Sequence, residues 1–332
     1  MAELAVRRAA GGPARNAVPA ISIPDGEQLR WSLLTGGQRS HNRIVALGFL
    51  PGARTPHRVA ITARVSASVP GLRREAAALR AVAARRPDGA PGVPQVVAER
   101  DDGDATVIVE SAIDGTRLTR LLTEATYDRL ATLVADWLRP LAGPDTRSAD
   151  GLVEPLIATF ERAYRGVDPT LVDDVRAAIA DFGQLPRAIE HRDLAPWNLR
   201  LLSTGGLGVL DWESAEVDGI AGPDLHYALA YLAFDLAGAT QVDGQVAAYR
   251  RLRDAETAVG RVASRVLSRY AEAVGLDPRT MRRLSLVTWL IHARSELERM
   301  TGDEGSAPSA DRLLGGLFVN LIRVDLEGAR QD

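Results

Sequence analysis

The sequence predicts an α+β chain of two lobes: a small antiparallel β-rich lobe with one helix, then a larger, mainly helical lobe. Across residues 21–110 short apolar runs alternate with Gly-, Pro- and Asp-containing breaks, the pattern of strands joined by turns. Beyond residue 111 apolar residues recur at helical spacing. The stretch His191–Glu213 interrupts those helices and collects the residue types that do chemistry.

Residues 1–20 are rich in Ala, Arg, Gly and Pro and lack the unbroken apolar core of a signal peptide, so they read as a mostly disordered tail. Leu29–Leu34 and Ile44–Leu50 are strands flanking the polar, Gly-containing loop Thr35–Asn42. His57–Val65 is a third strand, with Val59, Ile61, Ala63 and Val65 on one face and Ala60, Thr62 and Arg64 on the other. Leu72–Arg86 is a helix whose apolar stripe is Leu72, Ala76, Leu79 and Val82, with Pro70-Gly71 before it. Glu75, near its first turn, is either a favourable N-terminal carboxylate or the ion-pair partner of Arg64. Gln95–Glu99 and Ala105–Glu110 complete the small lobe, and the polar segment Ser111–Thr116 marks the lobe boundary. Helices follow from Leu118 to Leu141, over Pro155–Arg165, Leu171–Phe182 and Asp224–Leu236, and within Val242–Val274, Pro278–Arg299 and Ala310–Glu327. Gly205-Gly206 turns a hairpin between Leu199–Leu202 and Leu207–Leu210.

A net charge of −3 gives no bulk electrostatic affinity for nucleic acid. The apolar run Leu225–Ala237 is interrupted by His226 and Asp235 and is too short to span a bilayer, so no membrane partner is expected. There is no cysteine, which excludes disulfides, thiol nucleophiles and thiolate metal sites and suits a cytoplasmic location. There is no lysine either. All 40 residues of the Lys+Arg total are arginine, so a site that ordinarily uses lysine must use arginine or do without.

Phosphoryl transfer from a nucleotide needs a carboxylate near the attacking hydroxyl and oxygen ligands for Mg²⁺. Asp193, Asn198 and Asp211 supply both, in a His191-x-Asp193-x4-Asn198 loop followed by a hairpin and Asp211-Trp212-Glu213. On these residues the chain resembles the aminoglycoside phosphotransferase and choline kinase-like family, which has the two-lobed protein-kinase-like fold, over about residues 30–240. His191-Arg192-Asp193-Leu194 with Asn198 is also the catalytic-loop signature of protein kinases. Against a protein kinase, Asp211-Trp212-Glu213 stands in place of Asp-Phe-Gly and no Ala-Pro-Glu segment follows. Instead, Gly222-Pro223-Asp224 leads straight into a helix, which favours a small-molecule acceptor.

The resemblance implies a role for each matched residue. Asp193 would be the catalytic base or orient the acceptor hydroxyl, and His191, the second catalytic-loop residue, would brace that loop by hydrogen bonds or transfer a proton. Asn198 and Asp211 would hold Mg²⁺, with Glu213 either a further ligand or an exposed acid. Gly36 and Gly37 would lie in a loop covering the phosphates of ATP. Arg64 would replace the family's phosphate-binding lysine, with Glu75 as its partner, and Glu110–Ile113 would be the adenine hinge, which makes Glu110 and Ile113 nucleotide contacts. Asp224 would cap its helix or steady the catalytic loop. The acceptor would lie against Trp212, Glu216, Asp218, Tyr227, His292 and Glu296, with Trp289 read first as core.

The implied activity is ATP- and Mg²⁺-dependent transfer of the γ-phosphate to a hydroxyl of a small molecule. Residues 21–110 would form the nucleotide-binding lobe, and residues 111–332 would carry the catalytic loop and the acceptor-binding helices. The competing reading is a nucleotide-binding pseudokinase or scaffold, because a planar guanidinium at Arg64 is not a conservative exchange for an ammonium.

Overall fold

The computed structural model describes residues 2–4, 21–23, 28–34, 43–86, 90–101, 106–304 and 308–330. The chain divides into two compact units, Met1–Thr116 with Asn198–Val217, and Arg117–Trp197 with Asp218–Asp332. The hairpin after the catalytic loop thus belongs with the strand-rich unit, although it follows the first helices in sequence.

In the first unit β1 (Ala2–Leu4) pairs antiparallel with β2 (Ile21–Ile23). Ala2–Leu4 is therefore a strand rather than part of a disordered tail, because its backbone finds partners that composition does not reveal. The strands β3 (Arg30–Leu34), β4 (Arg43–Phe49) and β5 (Arg58–Ala63) precede the helix α1 (Val69–Arg85). After it come β6 (Val96–Asp101) and β7 (Thr106–Ser111), and the five strands form an antiparallel sheet in the order β3-β4-β5-β7-β6. α1 opens on Val69-Pro70, where proline costs no helical hydrogen bond. Its Leu72 and Ala76 pack with Ile61 and Ile108, with Val45, Val59 and Ala63 against the same cluster. A second cluster holds the small residues Ala46 and Ala60 with Val107 and Val109.

After β8 (Thr116–Arg117) the second unit contributes α2 (Glu124–Leu138), β9 (Ala142–Ser148), α3 (Asp150–Tyr164), α4 (Pro169–Ala178) and β10 (Gln184–Glu190). β9 and β10 pair antiparallel; the sequence does not predict β9, since Ala-Gly-Pro-Asp-Thr-Arg-Ser carries no period-two apolar pattern. α3 begins upstream of Pro155, at Asp150, so the proline lies inside the helix instead of starting it. The chain then forms the hairpin β11 (Leu199–Leu201) and β12 (Leu207–Val209), paired Leu199↔Val209 and turned at Gly205, which has φ +84°.

β13 (Glu216–Ile220) completes a second sheet of order β13-β10-β9 and leads into α5 (Pro223–Leu236). α5 is buried almost throughout, which explains its apolar sequence as that of a core helix. Among the described residues no helix is long and apolar enough to cross a membrane. The remaining helices are α6 (Val242–Arg253), α7 (Ala258–Val274), α8 (Pro278–Glu304), α9 (Ala310–Leu314) and α10 (Leu317–Ala329). Asp325 of α10 accepts hydrogen bonds from Tyr249 Oη of α6 (2.8 Å) and Trp289 Nε1 of α8 (3.0 Å) and pairs with Arg253 (3.0 Å). This buried network satisfies all of its polar members and makes Trp289 a core residue.

Candidate active site

The residues singled out from the sequence fall into two groups, one in each unit. The first group is built on the loop that leaves β10. The backbone N–H groups of His191 and Arg192 both donate to the carboxylate of Asp224, to Oδ2 at 2.5 Å and Oδ1 at 2.8 Å. Asp224 is buried in the first turn of α5, so a core helix clamps the loop. It is not the helix cap, which is Gly222 with φ +121°. Burial, reinforced by neighbouring Glu190, pushes the Asp224 carboxyl up to about 7 against the lowering effect of the two N–H donors.

Glu190 forms a second clamp. Its Oε2 accepts from Arg192 Nε at 2.7 Å and its Oε1 from the backbone N–H of Ile220 at 2.7 Å. Arg192 has φ +62°, a left-handed conformation that costs an L-residue roughly 1–2 kcal/mol. Bonds at its backbone and its guanidinium hold it there.

Asp193 follows, half-buried. Its carboxylate Oδ1 accepts the phenol hydrogen of Tyr227 at 3.0 Å, and its backbone N–H donates to Nδ1 of His191 at 3.2 Å. His191 is fully buried and uses its ring to brace the loop. Burial raises the Tyr227 phenol well above its ordinary value, with Tyr231 and the Asp193 charge adding to it, so Tyr227 keeps the proton it donates. The Tyr227 ring stacks on His292, centroids 4.1 Å apart and planes 19° from parallel. Tyr227 and His292, read as acceptor-lining residues, pack on each other, and Tyr227 also holds Asp193. Asp218 of the same unit pairs with Arg147 and Arg187.

The second group lies in the first unit. Asn198 stands at the start of the hairpin, where its backbone carbonyl accepts the N–H of Leu210 at 3.0 Å; Asp211 comes next, at the hairpin's other end. Asp211 has φ +67°, in the left-handed region like Arg192. The following N–H, of Trp212, donates to Glu75 Oε1 at 3.2 Å, which ties this turn to α1. Trp212 is fully buried and donates Nε1–H to the carbonyl of Val209 at 3.2 Å, so it packs instead of lining a substrate pocket. Ile113 packs against Gly208, where an added Cβ would approach its Cγ2 to 2.8 Å.

Glu75 is buried, and its cationic partner is Arg43, not Arg64. Arg43 NH1 donates to Glu75 Oε2 at 2.6 Å. Arg43 NH2 reaches Asp211 Oδ1 at 3.3 Å and also pairs with Glu213 Oε2. Arg64 follows the last residue of β5 and is exposed. The strand Val59-Ala60-Ile61-Thr62 matches the Val-Ala-Ile-Lys pattern of kinase sheets with threonine at the lysine position. Thr62 spends its hydroxyl on the carbonyl of Thr106 at 3.0 Å.

Burial, with the Asp211 charge, pushes the Glu75 carboxyl up to about 7, opposed by Arg43 and the Trp212 N–H. Glu110 on β7 is also buried and is raised well above the ordinary carboxylate range, first by burial and then by Glu75. Arg43 shares the face of Val45 two residues on and pairs in register with Ala63; both of these pack toward α1, which bears Glu75, and that register is not readable from the sequence. Gly36 and Gly37 lie outside the described residues.

Asp211 and Glu213 are nearly half exposed and converge on one cationic group, a donor set that suits a hard cation sharing its remaining ligands with phosphate and water. Among the described residues no three His, Cys, Asp or Glu side chains form a metal cage by themselves.

Solved structures that resemble the chain include small-molecule kinases. A thermostable mutant of the aminoglycoside phosphotransferase APH(4)-Ia, in a ternary complex with ADP and hygromycin B, is 14% identical over 90% of this chain and 96% of that one, with a TM-score of 0.53. Choline kinase LicA from Streptococcus pneumoniae is 14% identical over 92% and 95%, TM-score 0.53. An ethanolamine kinase from Plasmodium vivax is 12% identical over 92% and 82%, TM-score 0.52. At such identities the likeness establishes a shared kinase-like architecture. The profile of the phosphotransferase enzyme family (APH) matches residues 51–261, more than half of the sequence, and the chain belongs to that family. No curated protein matches it in sequence.

Proposed function

We propose that this phosphotransferase moves the γ-phosphate of ATP to a hydroxyl group of a small molecule, in the cytoplasm and with Mg²⁺. The observation that carries this reading is the setting of Asp193: a carboxylate on a doubly clamped loop, oriented by a phenol that stays protonated. Asp193 holds the acceptor hydroxyl and takes its proton as the new oxygen–phosphorus bond forms and the bond to ADP breaks. Tyr227 keeps the carboxylate in one rotamer, so orientation is set before the acceptor arrives. Asn198, Asp211 and Glu213 are the residues that would hold Mg²⁺, which when bound neutralises charge on the transferring phosphate. Glu110 and Ile113 would meet the adenine.

The acceptor class is a sugar, aminoglycoside, amino alcohol or hydroxylated natural-product intermediate. Support comes from the named substrates of proteins with this fold, hygromycin B, choline and ethanolamine among them. The experiment is an ADP-release assay with ATP and Mg²⁺ against a panel of these acceptors, followed by mass spectrometry of the product. Turnover should appear with at least one class, and Asp193→Ala should lower it by roughly 10²–10⁴-fold while nucleotide affinity in calorimetry is kept. Turnover undiminished in Asp193→Ala would remove the base from this loop. The alternative, a non-catalytic nucleotide-binding scaffold, draws on the threonine at the lysine position. It predicts Mg²⁺-dependent nucleotide binding with no turnover on any acceptor.

A further inference from the structure

Three carboxylates, Glu75, Asp211 and Glu213, share one guanidinium, that of Arg43. A bound triphosphate would add more negative charge beside them, and such a site needs a fixed cation facing the phosphates. Thr62 at the lysine position has no charge, and Arg64 lies beyond the strand. We propose that Arg43, from β4, is the phosphate-binding cation of this chain, and that it also serves as counter-ion to Asp211 and Glu213 while no nucleotide is bound. This rests on the phosphotransferase reading above and adds a residue to it.

The two edges of the Arg43 guanidinium stand in different surroundings. The NH1 edge holds Glu75, whose side chain is 2% exposed and is itself fixed by the Trp212 N–H. That edge is anchored. The NH2 edge holds Asp211 and Glu213, whose side chains are 43% and 46% exposed. Those contacts are open to exchange with ligands from solvent. A guanidinium is charged at every working pH and presents parallel donors, so it can keep a carboxylate on one edge and hold phosphate oxygens on another.

A cation bound by Asp211 and Glu213 would compete with the NH2 edge for their charge, and an edge so released is a donor for phosphate. Arg74 keeps Glu213 in place through this exchange, because its Nε donates to the Glu213 backbone carbonyl at 3.1 Å.

The test compares Arg43→Gln with Arg64→Gln. Glutamine at 43 keeps a donor for Glu75 and removes the charge. In calorimetric titration with ATP and Mg²⁺, Arg43→Gln should weaken binding roughly ten- to hundredfold, the loss of a charge-assisted phosphate contact. Arg64→Gln should stay within about threefold of wild type, as for an exposed charge. Without nucleotide, Mn²⁺ binding followed by electron paramagnetic resonance should shift the opposite way and tighten in Arg43→Gln, because Asp211 and Glu213 lose their competing cation. Wild-type nucleotide affinity in Arg43→Gln overturns the assignment, and so does Mn²⁺ binding that weakens or stays level. Should Arg43→Gln fail to fold by circular dichroism, the double variant Arg43→Gln with Glu75→Gln removes the carboxylate that Arg43 neutralised and answers the same two titrations. Wild-type protein that binds no nucleotide would overturn the phosphotransferase reading itself, an outcome separate from the failure of Arg43 alone.

Discussion

Asp224 shows how much of the chemistry hangs on a residue that touches no substrate in any reading. Its two oxygens take the N–H groups of His191 and Arg192, and those two residues lead directly to Asp193. An asparagine would keep one acceptor and turn an NH₂ toward a backbone N–H, leaving that donor unsatisfied in the core. Asp224→Asn should therefore cost about 1–3 kcal/mol of stability. By releasing the loop it should also lower kcat by up to roughly a hundredfold. The checks are chemical denaturation and steady-state kinetics with an identified acceptor; a variant that is destabilised yet keeps full kcat would reduce Asp224 to a structural brace. In sequence, Asp224 was legible only as a polar residue beside Gly-Pro, with helix capping and loop support both open. Whether an aspartate at a helix start turns to its own helix or to another segment depends on what lies across from it.

Among the elements, the hairpin β11–β12 does the placing for Asn198 and Asp211, and it is itself placed by Gly92. The N–H of Val209 donates to the carbonyl of Gly92 at 2.8 Å. A Cβ at Gly92 would stand 2.2 Å from the carbonyl oxygen of Leu207, and φ there is +89°. Gly92→Ala thus meets both a backbone clash and a strained conformation, and should destabilise the fold by roughly 2–4 kcal/mol. A thermal melt reads this directly, and an unchanged Tm would mean that the hairpin tolerates a displacement these contacts forbid. The hairpin was visible in the sequence from Gly205-Gly206 between two apolar runs. Its dependence on Gly92 was not, because nothing in a Pro/Gly-rich loop says which glycine a distant backbone approaches. β9 was missed for a related reason: it is a strand through pairing with β10, against its own composition.

On the scale of the whole molecule, stability should respond to acid through His226. This side chain is buried in α5 beside the carbonyl of Met281, 2.7 Å from Nε2, and burial, aided by Arg253, lowers its pKa to about 3 from an ordinary 6.5. Below about pH 6.5 the unfolded chain takes up a proton that the folded chain refuses until about pH 3. The fold then loses about 1.4 kcal/mol per pH unit from this group as pH falls. Glu75 and Asp224 act in the opposite sense. Both are raised to about 7, so the folded chain takes up their protons first, and what they contribute is lost as pH rises toward 7. The variant His226→Gln, whose amide still donates to Met281, isolates one side of this balance. Its stability, measured by denaturant midpoints between pH 4 and pH 6.5, should fall less steeply on acidification than that of wild type. Parallel profiles would mean that His226 is protonated in the fold.

Composition and local order were enough to read the α+β class, the strand-rich first part, most of the helices and the Asp193, Asn198 and Asp211 spacing, because each depends on residues close together in the chain. The partner of Glu75 was not readable in that way. Arg43 and Arg64 are both strand-associated arginines in a chain whose basic residues are all arginine, and sequence spacing ranks neither above the other. Their difference comes from three-dimensional packing: Arg43 enters β4 on the side that faces α1, while the chain has left β5 before Arg64. Which cation a buried carboxylate holds is set by which one can reach it without crossing the sheet, and that follows from strand pairing and helix placement, long-range facts that no local pattern encodes.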